Sequence, residues 1–186
     1  MKNCILFLTL ILLTGCIDVK IKSEIPKKIY YDLDVREVKS KRCSDLWVIG
    51  LSEVSSISSI DSQNIIQKKS NGETINYENM QWVDNPKSMF KTILLKQAYD
   101  KCLIFENPSL SKMERFLSVE ILFLGFLDSK PTIEFVYKIS DEKFNLIDMG
   151  IIKGTNDSGT IADLQQLTQE SINDLINLLE TSRFKG

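Results

Sequence analysis

The sequence predicts an α+β fold: a single domain on one mainly antiparallel sheet, with two helices packed on it. Three observations predict it. Between residues 29 and 152 most of the chain alternates apolar with polar residues, or runs in short dense apolar blocks bounded by turn residues. Two stretches, 86–101 and 161–182, instead repeat their apolar residues at helical spacing. The order is strands, helix, strands, helix, with no internal repeat and no break that marks a second domain. The 186 residues are 43% hydrophobic and 26% charged, an ordinary globular balance with room for about one domain.

Residues 1–15 read as a signal peptide. Lys2 supplies a basic start, and Cys4 to Leu13 is an uncharged run of ten. Spanning a bilayer takes about 20 apolar residues, so this run has the length of a signal-peptide core. It closes on Leu13-Thr14-Gly15-Cys16, a bacterial lipobox: a branched apolar residue, two small residues, then cysteine. The Cys16 thiol would take diacylglycerol and cleavage would follow Gly15. Two or more acyl chains give stable membrane attachment. Ile17, not Asp, follows the cysteine, which favours export to a Gram-negative outer membrane. The alternative is an ordinary secretory signal. Residues 16–28 are then the lipidated cysteine and a polar, lysine-bearing tether, and 29–186 the folded domain.

Within that domain Ile29 to Val38 reads as a half-buried first strand, with Tyr31, Leu33 and Val35 on one face and Asp32, Asp34 and Arg36 on the other. Leu46 to Val54 is dense enough for a central strand, and the serine-rich 55–62 reads as a loop. Asn64 to Tyr77 is a hairpin folded at Asn71-Gly72, a pair that tolerates positive φ at both turn centres. Asn85 is an N-cap and Pro86 a first helical residue; Met89, Phe90, Ile93, Leu94 and Ala98 form the inner stripe of a helix to about Lys101. Leu117, Val119, Ile121 and Phe123 share a face of the next strand. Turns at 128–131 and 141–143 make it the start of a three-stranded meander that ends in 146–152. Thr160 or Ser158 caps a last helix, whose Ile161, Leu164, Leu167, Ile172, Leu175, Leu178 and Leu179 fall in one arc.

Composition excludes much chemistry. Histidine is absent, which removes Ser-His-Asp triads, Cys-His dyads and imidazole zinc sites. A net charge of −2 from 23 basic and 25 acidic residues gives no electrostatic footprint for nucleic acid. Phosphate-loop, dinucleotide and nucleophile-elbow patterns are absent, and Ser-x-x-Lys occurs four times, at Ser88, Ser109, Ser140 and Ser182, as chance allows. The expectation is a protein that is not an enzyme and carries no cofactor or metal. Once Cys4 leaves with the signal and Cys16 is acylated, Cys43 and Cys102 remain, either bridged in an oxidising compartment or buried as free thiols.

The residues left over point to contacts. Tyr30 faces away from Tyr31, and Trp82 lies among Gln81, Asp84 and Asn85 just before a helix. Such aromatics serve contact surfaces or cover the rim of a core. Asp163, Glu170 and Asp174 share one flank of the last helix, a solvated face or a docking stripe for a basic partner.

Together the lipobox, a tether with Pro26, Tyr30-Tyr31-Asp32-Leu33, a hairpin, and Gln81-Trp82-Val83-Asp84-Asn85-Pro86 leading into a helix resemble the ABC-type transport auxiliary lipoproteins. These are the outer-membrane partners of mammalian-cell-entry (MCE) type lipid transport systems. In that family a Tyr-x-Leu follows the tether and a basic-Trp pair precedes a helix. Tyr31-Asp32-Leu33 and Trp82 match; Gln81 stands where arginine is usual, so a salt bridge from that position is not carried over. The resemblance spans roughly residues 29–183. It implies a non-catalytic component anchored through Cys16 to the outer membrane and facing the periplasm. An MCE-domain protein and an inner-membrane permease and ATPase would be its partners, with assembly into a homo-oligomer possible. Tyr30, Tyr31 and Trp82 would meet the partner. The alternatives are a periplasmic adaptor for a cell-wall synthase or secretion complex, a hydrolase, or a domain with its own lipid cavity.

Overall fold

A computed structural model describes residues 27–36, 41–108 and 113–183. The lipobox, Cys16 and the tether as far as Pro26 lie outside the described residues. The described chain forms strands β1 (Ile29–Tyr31), β2 (Trp47–Ser56), β3 (Asn64–Lys68) and β4 (Thr74–Trp82), then helix α1 (Pro86–Asp100). Strands β5 (Leu103–Glu106), β6 (Arg115–Leu127), β7 (Lys130–Asp141) and β8 (Leu146–Thr155) follow, and helix α2 (Ile161–Arg183) closes the domain.

All eight strands make one mixed sheet. The antiparallel ladders β6–β7, β7–β8 and β3–β4 hold most of the paired residues, and β1–β4, β2–β5, β2–β6 and β3–β6 run parallel. The sheet forks along β6. One edge of β6 pairs with β7 throughout; the other pairs with β2 as far as Ile121, then with β3 at Phe126 and Leu127. Between the two, the chain turns through a short 3₁₀ segment, Ser58–Ile60, that buries Ile60. So the serine-rich stretch is partly strand and partly a packed turn, because Ile60 has a core position to fill.

Local chemistry explains most of the elements. β2 is apolar because it has neighbours on both edges, and Ile49 is fully buried. At the β3–β4 hairpin Lys69 N–H donates to Glu73 O, and only Gly72 takes positive φ, at 87°. Asn71 keeps ordinary φ, so the turn has one left-handed residue where the sequence suggested two. Asp128 and Ser129, with φ of 47° and 68°, form the two-residue turn between β6 and β7. Asn85 Oδ1 accepts Lys87 N–H at 3.1 Å and caps α1 as expected.

Three expectations change. The first strand ends at Tyr31, seven residues early. Asp32 Oδ1 accepts Asp34 N–H at 3.0 Å and Asp34 Oδ1 accepts Arg36 N–H at 3.2 Å, so the carboxylates take amides that a ladder needs. Val35 is consequently exposed and not on a buried face. In β6 the register against β7 shifts between Ile121 and Phe123. This bulge turns Phe123 out of the row of Leu117, Val119 and Ile121, and Leu124 and Phe126 continue the buried row. On α2, Leu178 is exposed at the rim of the arc, and Ile176 is buried instead. The short strand β5 was not expected; four residues give too little alternation to read.

The core lies between the sheet and the two helices. Phe90 of α1 meets Phe135 of β7 edge to face at 5.1 Å, and α2 inserts Leu164, Ile172, Leu175 and Leu179. Cys43 and Cys102 are bridged, with Cα atoms 5.5 Å apart, which ties the coil before β2 to the end of α1.

Candidate interaction surface

The chain enters the domain at β1, and the residues after it are held by three elements. Ile29, Tyr30 and Tyr31 pair in parallel with Met80, Gln81 and Trp82 at the end of β4. Beyond the strand, Leu33 is fully buried. Gln165 of α2 donates to the Asp32 carbonyl, and Gln169 of α2 donates to the Leu33 carbonyl at 3.3 Å. Lys96 of α1 pairs with the Asp34 carboxylate, whose side chain is only 6% exposed. Gln97 Nε2 in turn donates to the Gln169 carbonyl at 3.0 Å, so α1, α2 and residues 32–34 are laced together by amide side chains. A β1 strand of three residues would hold poorly by itself; the buried Leu33 and these bonds are what secure the entry.

The expected contact residues do not gather into one place. Tyr30 is 56% exposed, in keeping with a contact role, and Ile29, Val35 and Val83 are exposed in the same neighbourhood of chain. Tyr31 is half-buried and packs against the core. Trp82 is a correction: its side chain has no exposure, so it fills the core and presents no surface to a partner. Among the described residues neither its indole Nε1 nor Gln97 Oε1 has a hydrogen-bond partner. Gln81, at the position where the resembled family carries arginine, donates to Asn64 Oδ1 at 3.3 Å.

Glu170 and Asp174 are exposed on α2, while Asp163 has a structural duty. Thr160 caps the helix: its hydroxyl accepts Asp163 N–H at 3.2 Å, and the Asp163 carboxylate accepts Thr160 N–H at 3.2 Å. The bond from the Thr160 hydroxyl holds the Asp163 carboxyl below its ordinary pKa. Glu170 accepts Gln166 Nε2 at 2.8 Å. The stripe as a surface is therefore Gln166, Glu170 and Asp174, with Asp163 committed to the cap.

A second surface went unread in the sequence. The last strand and the turn before it expose Phe144, Leu146, Ile147, Met149 and Ile151, with Phe144 stacked on Phe116 at 4.8 Å. Alternation was the available signal: Gly154 stands against Leu167 and Ser171 of α2 and Ile152 packs on the core, so Met149 and Ile151 face outward, while Ile147 falls at an irregularity in the ladder to β7.

Two other carboxylates hold turns and a helix start. Asp61 is paired with Lys87 at 2.9 Å and bonded by Asn85 Nδ2, which together hold its carboxyl below the ordinary value. Asp141 accepts three bonds from Lys143 and Asn145 and closes the β7–β8 turn. Among the described residues, no three His, Cys, Asp or Glu side chains gather as a metal site, and no helix is long and apolar enough to cross a membrane. A groove of about 340 Å³ lies between α1 and β5, lined by Leu51, Leu95 and Phe105 with Lys91 and Glu106.

No family model and no curated protein matches the chain. Solved structures do. The crystal structure of protein XCC0632 from Xanthomonas campestris, of the DUF330 family, is similar at 14% identity with a TM-score of 0.63, over 81% of this chain and 92% of that one. An uncharacterized protein is similar at 10% identity with a TM-score of 0.64, over 84% of this chain and 98% of that one. At these identities the likeness is one of fold. The lipoprotein GNA1162 from Neisseria meningitidis reaches a TM-score of only 0.34 at 6% identity over 72% of this chain and 99% of that one, too low to argue from.

Proposed function

We propose that the chain is a periplasmic lipoprotein, held to the outer membrane through acylated Cys16, that acts without catalysis as the auxiliary component of an MCE-type lipid transport system. One observation carries this reading: a lipobox and tether lead into a disulfide-braced domain that is secured at its point of entry. An anchored docking protein needs that arrangement, since any pull between membrane and partner passes through residues 29–34. The Cys43–Cys102 bridge supports an oxidising compartment. The fold shared with XCC0632 is compatible with the reading.

The MCE-domain protein, with the permease and ATPase beyond it, is the proposed partner. Tyr30 and the Glu170/Asp174 flank are its proposed contacts, because they are exposed where Trp82 is not. The test is recovery of the MCE-domain protein with the tagged, acylated chain. Tyr30→Ala and the double change Glu170→Lys, Asp174→Lys are each expected to lower recovery severalfold with the unfolding midpoint unmoved. Unchanged recovery in both would remove these surfaces from the account.

A further inference from the structure

We propose that the groove between α1 and β5 is a docking site for an extended peptide of a partner protein, one that carries an apolar side chain and a carboxylate two residues apart. The groove, about 340 Å³, lies at the small end of the range for ligand sites. Its apolar lining comes from three elements: Leu51 of β2, Leu95 of α1 and Phe105 of β5. Leu95 is 38% exposed, a large apolar side chain that the fold leaves uncovered on this flank of α1. Lys91 lines the groove one turn earlier on the same helix, and its ammonium has no ion pair among the described residues. The main chain beside the groove is open as well. β5 pairs with β2 alone, in a parallel ladder with no shift in register. Trp47 N–H donates to the Cys102 carbonyl at 3.0 Å, which sets the alternation: residues 102, 104 and 106 bond to β2, and the main-chain groups of Leu103 and Phe105 turn to the outer side. No main-chain group among the described residues bonds them there. An added strand takes up such groups, and pockets beside the edge then select its alternate side chains.

Spacing and charge select the occupant. Lys91 and Leu95 are four residues apart on one helix, a rise of about 6 Å. Side chains two residues apart on a strand share a face at a separation of about 6.6 Å. One residue of an extended peptide therefore meets Leu95 while the residue two positions away meets Lys91. Against an ammonium without an ion pair, that second residue is a carboxylate. A purely apolar ligand leaves Lys91 unanswered, and a basic peptide is repelled by it. Neither Tyr30 nor the Glu170/Asp174 flank lines this groove. Failure here is therefore read in peptide binding, whereas failure of the transport reading is read in recovery of the MCE-domain protein.

The test measures fluorescence anisotropy of labelled peptides with the full, acylated protein in detergent. The probes carry leucine and glutamate two residues apart in a threonine background, in both orders. Comparison probes replace the glutamate by glutamine or by lysine. One order of the leucine–glutamate peptide is expected to bind saturably. Its glutamine counterpart is expected to bind about fivefold more weakly, the most that an exposed ion pair supplies. Lys91→Glu is expected to reverse the preference, so that the lysine peptide binds better than the glutamate one. Leu95→Asp is expected to abolish saturable binding of every probe. Lys138→Glu, outside the groove, is expected to leave binding unchanged, with circular dichroism the same in all three variants. No saturable binding in either order, or binding that Leu95→Asp leaves intact, would overturn the proposal. So would equal binding of the glutamate and glutamine peptides, which marks an apolar site only, or a change at Lys138→Glu equal to that at Lys91→Glu.

Discussion

Trp82 and Leu33 are both fully buried. Trp82 sits among polar neighbours, which suggested a surface. In a strand those neighbours face the other way: Gln81 points to Asn64 while Trp82 points inward. The burial was legible from alternation, but the stronger local polarity masked it. Leu33 was correctly placed in the core, although not by the strand expected to carry it. Trp82→Ala is expected to cost about 3–5 kcal/mol and Leu33→Ala about 2–5 kcal/mol, read from urea unfolding. Trp82→Phe is expected to cost markedly less than Trp82→Ala, since the unpaired indole donor leaves with the larger ring.

Asp61, Asp141 and Asp163 all titrate below the ordinary 3.8 in the folded chain, through Lys87, Asn145 and Thr160 respectively. Their contribution is therefore fully present above the unfolded value and is lost as pH falls through the folded ones. Burial pushes the Tyr137 phenol above its ordinary 10.0, helped by Asp148. That contribution is present below the unfolded value and is lost as pH rises through the folded one. With no histidine, the unfolding midpoint is expected to stay flat from about pH 5 to 9 and to drop at both ends. A midpoint that moves steeply near neutrality would contradict this assignment.

At the scale of elements, period and capping were legible. The α1 N-cap at Asn85, the Thr160 cap of α2 and the β6–β8 meander all follow from nearest-neighbour chemistry. What the sequence did not disclose depends on distant partners. The bulge in β6 is a response to β7, and the fork along β6 arises because β2 and β3 share one edge of it. Gly125 lies at that fork: a Cβ there would stand 2.4 Å from the Ile66 carbonyl oxygen of β3. Gly125→Ala is thus expected to destabilise the domain by about 1–3 kcal/mol through forced separation of β3 from β6. Gly72→Asn, at a φ of 87° with open space around it, adds backbone strain but no clash and is expected to lower the melting temperature less than Gly125→Ala. Equal effects of the two would argue against the fork.

At the scale of the whole molecule, the described residues form one forked sheet of eight strands with three edge strands, β1, β5 and β8. The Cys43–Cys102 bridge closes a separation of 59 residues, and removing it by paired alanine substitution is expected to cost about 4 kcal/mol. Of these edges β1 is where the described chain enters the sheet, and β8 exposes Met149 and Ile151. The fold class could be read from the order of periodic segments. The surfaces could not, because exposure at Tyr30 and burial at Trp82 depend on what the rest of the chain covers.

The central claim is that this anchored domain docks onto a lipid transport machine. In-cell crosslinking of the tagged, acylated chain followed by mass spectrometry tests it most directly. The account predicts an MCE-domain protein among the recovered partners, together with its permease or ATPase. Recovery of a peptidoglycan enzyme or a secretion ring, with no MCE-domain protein, would contradict it.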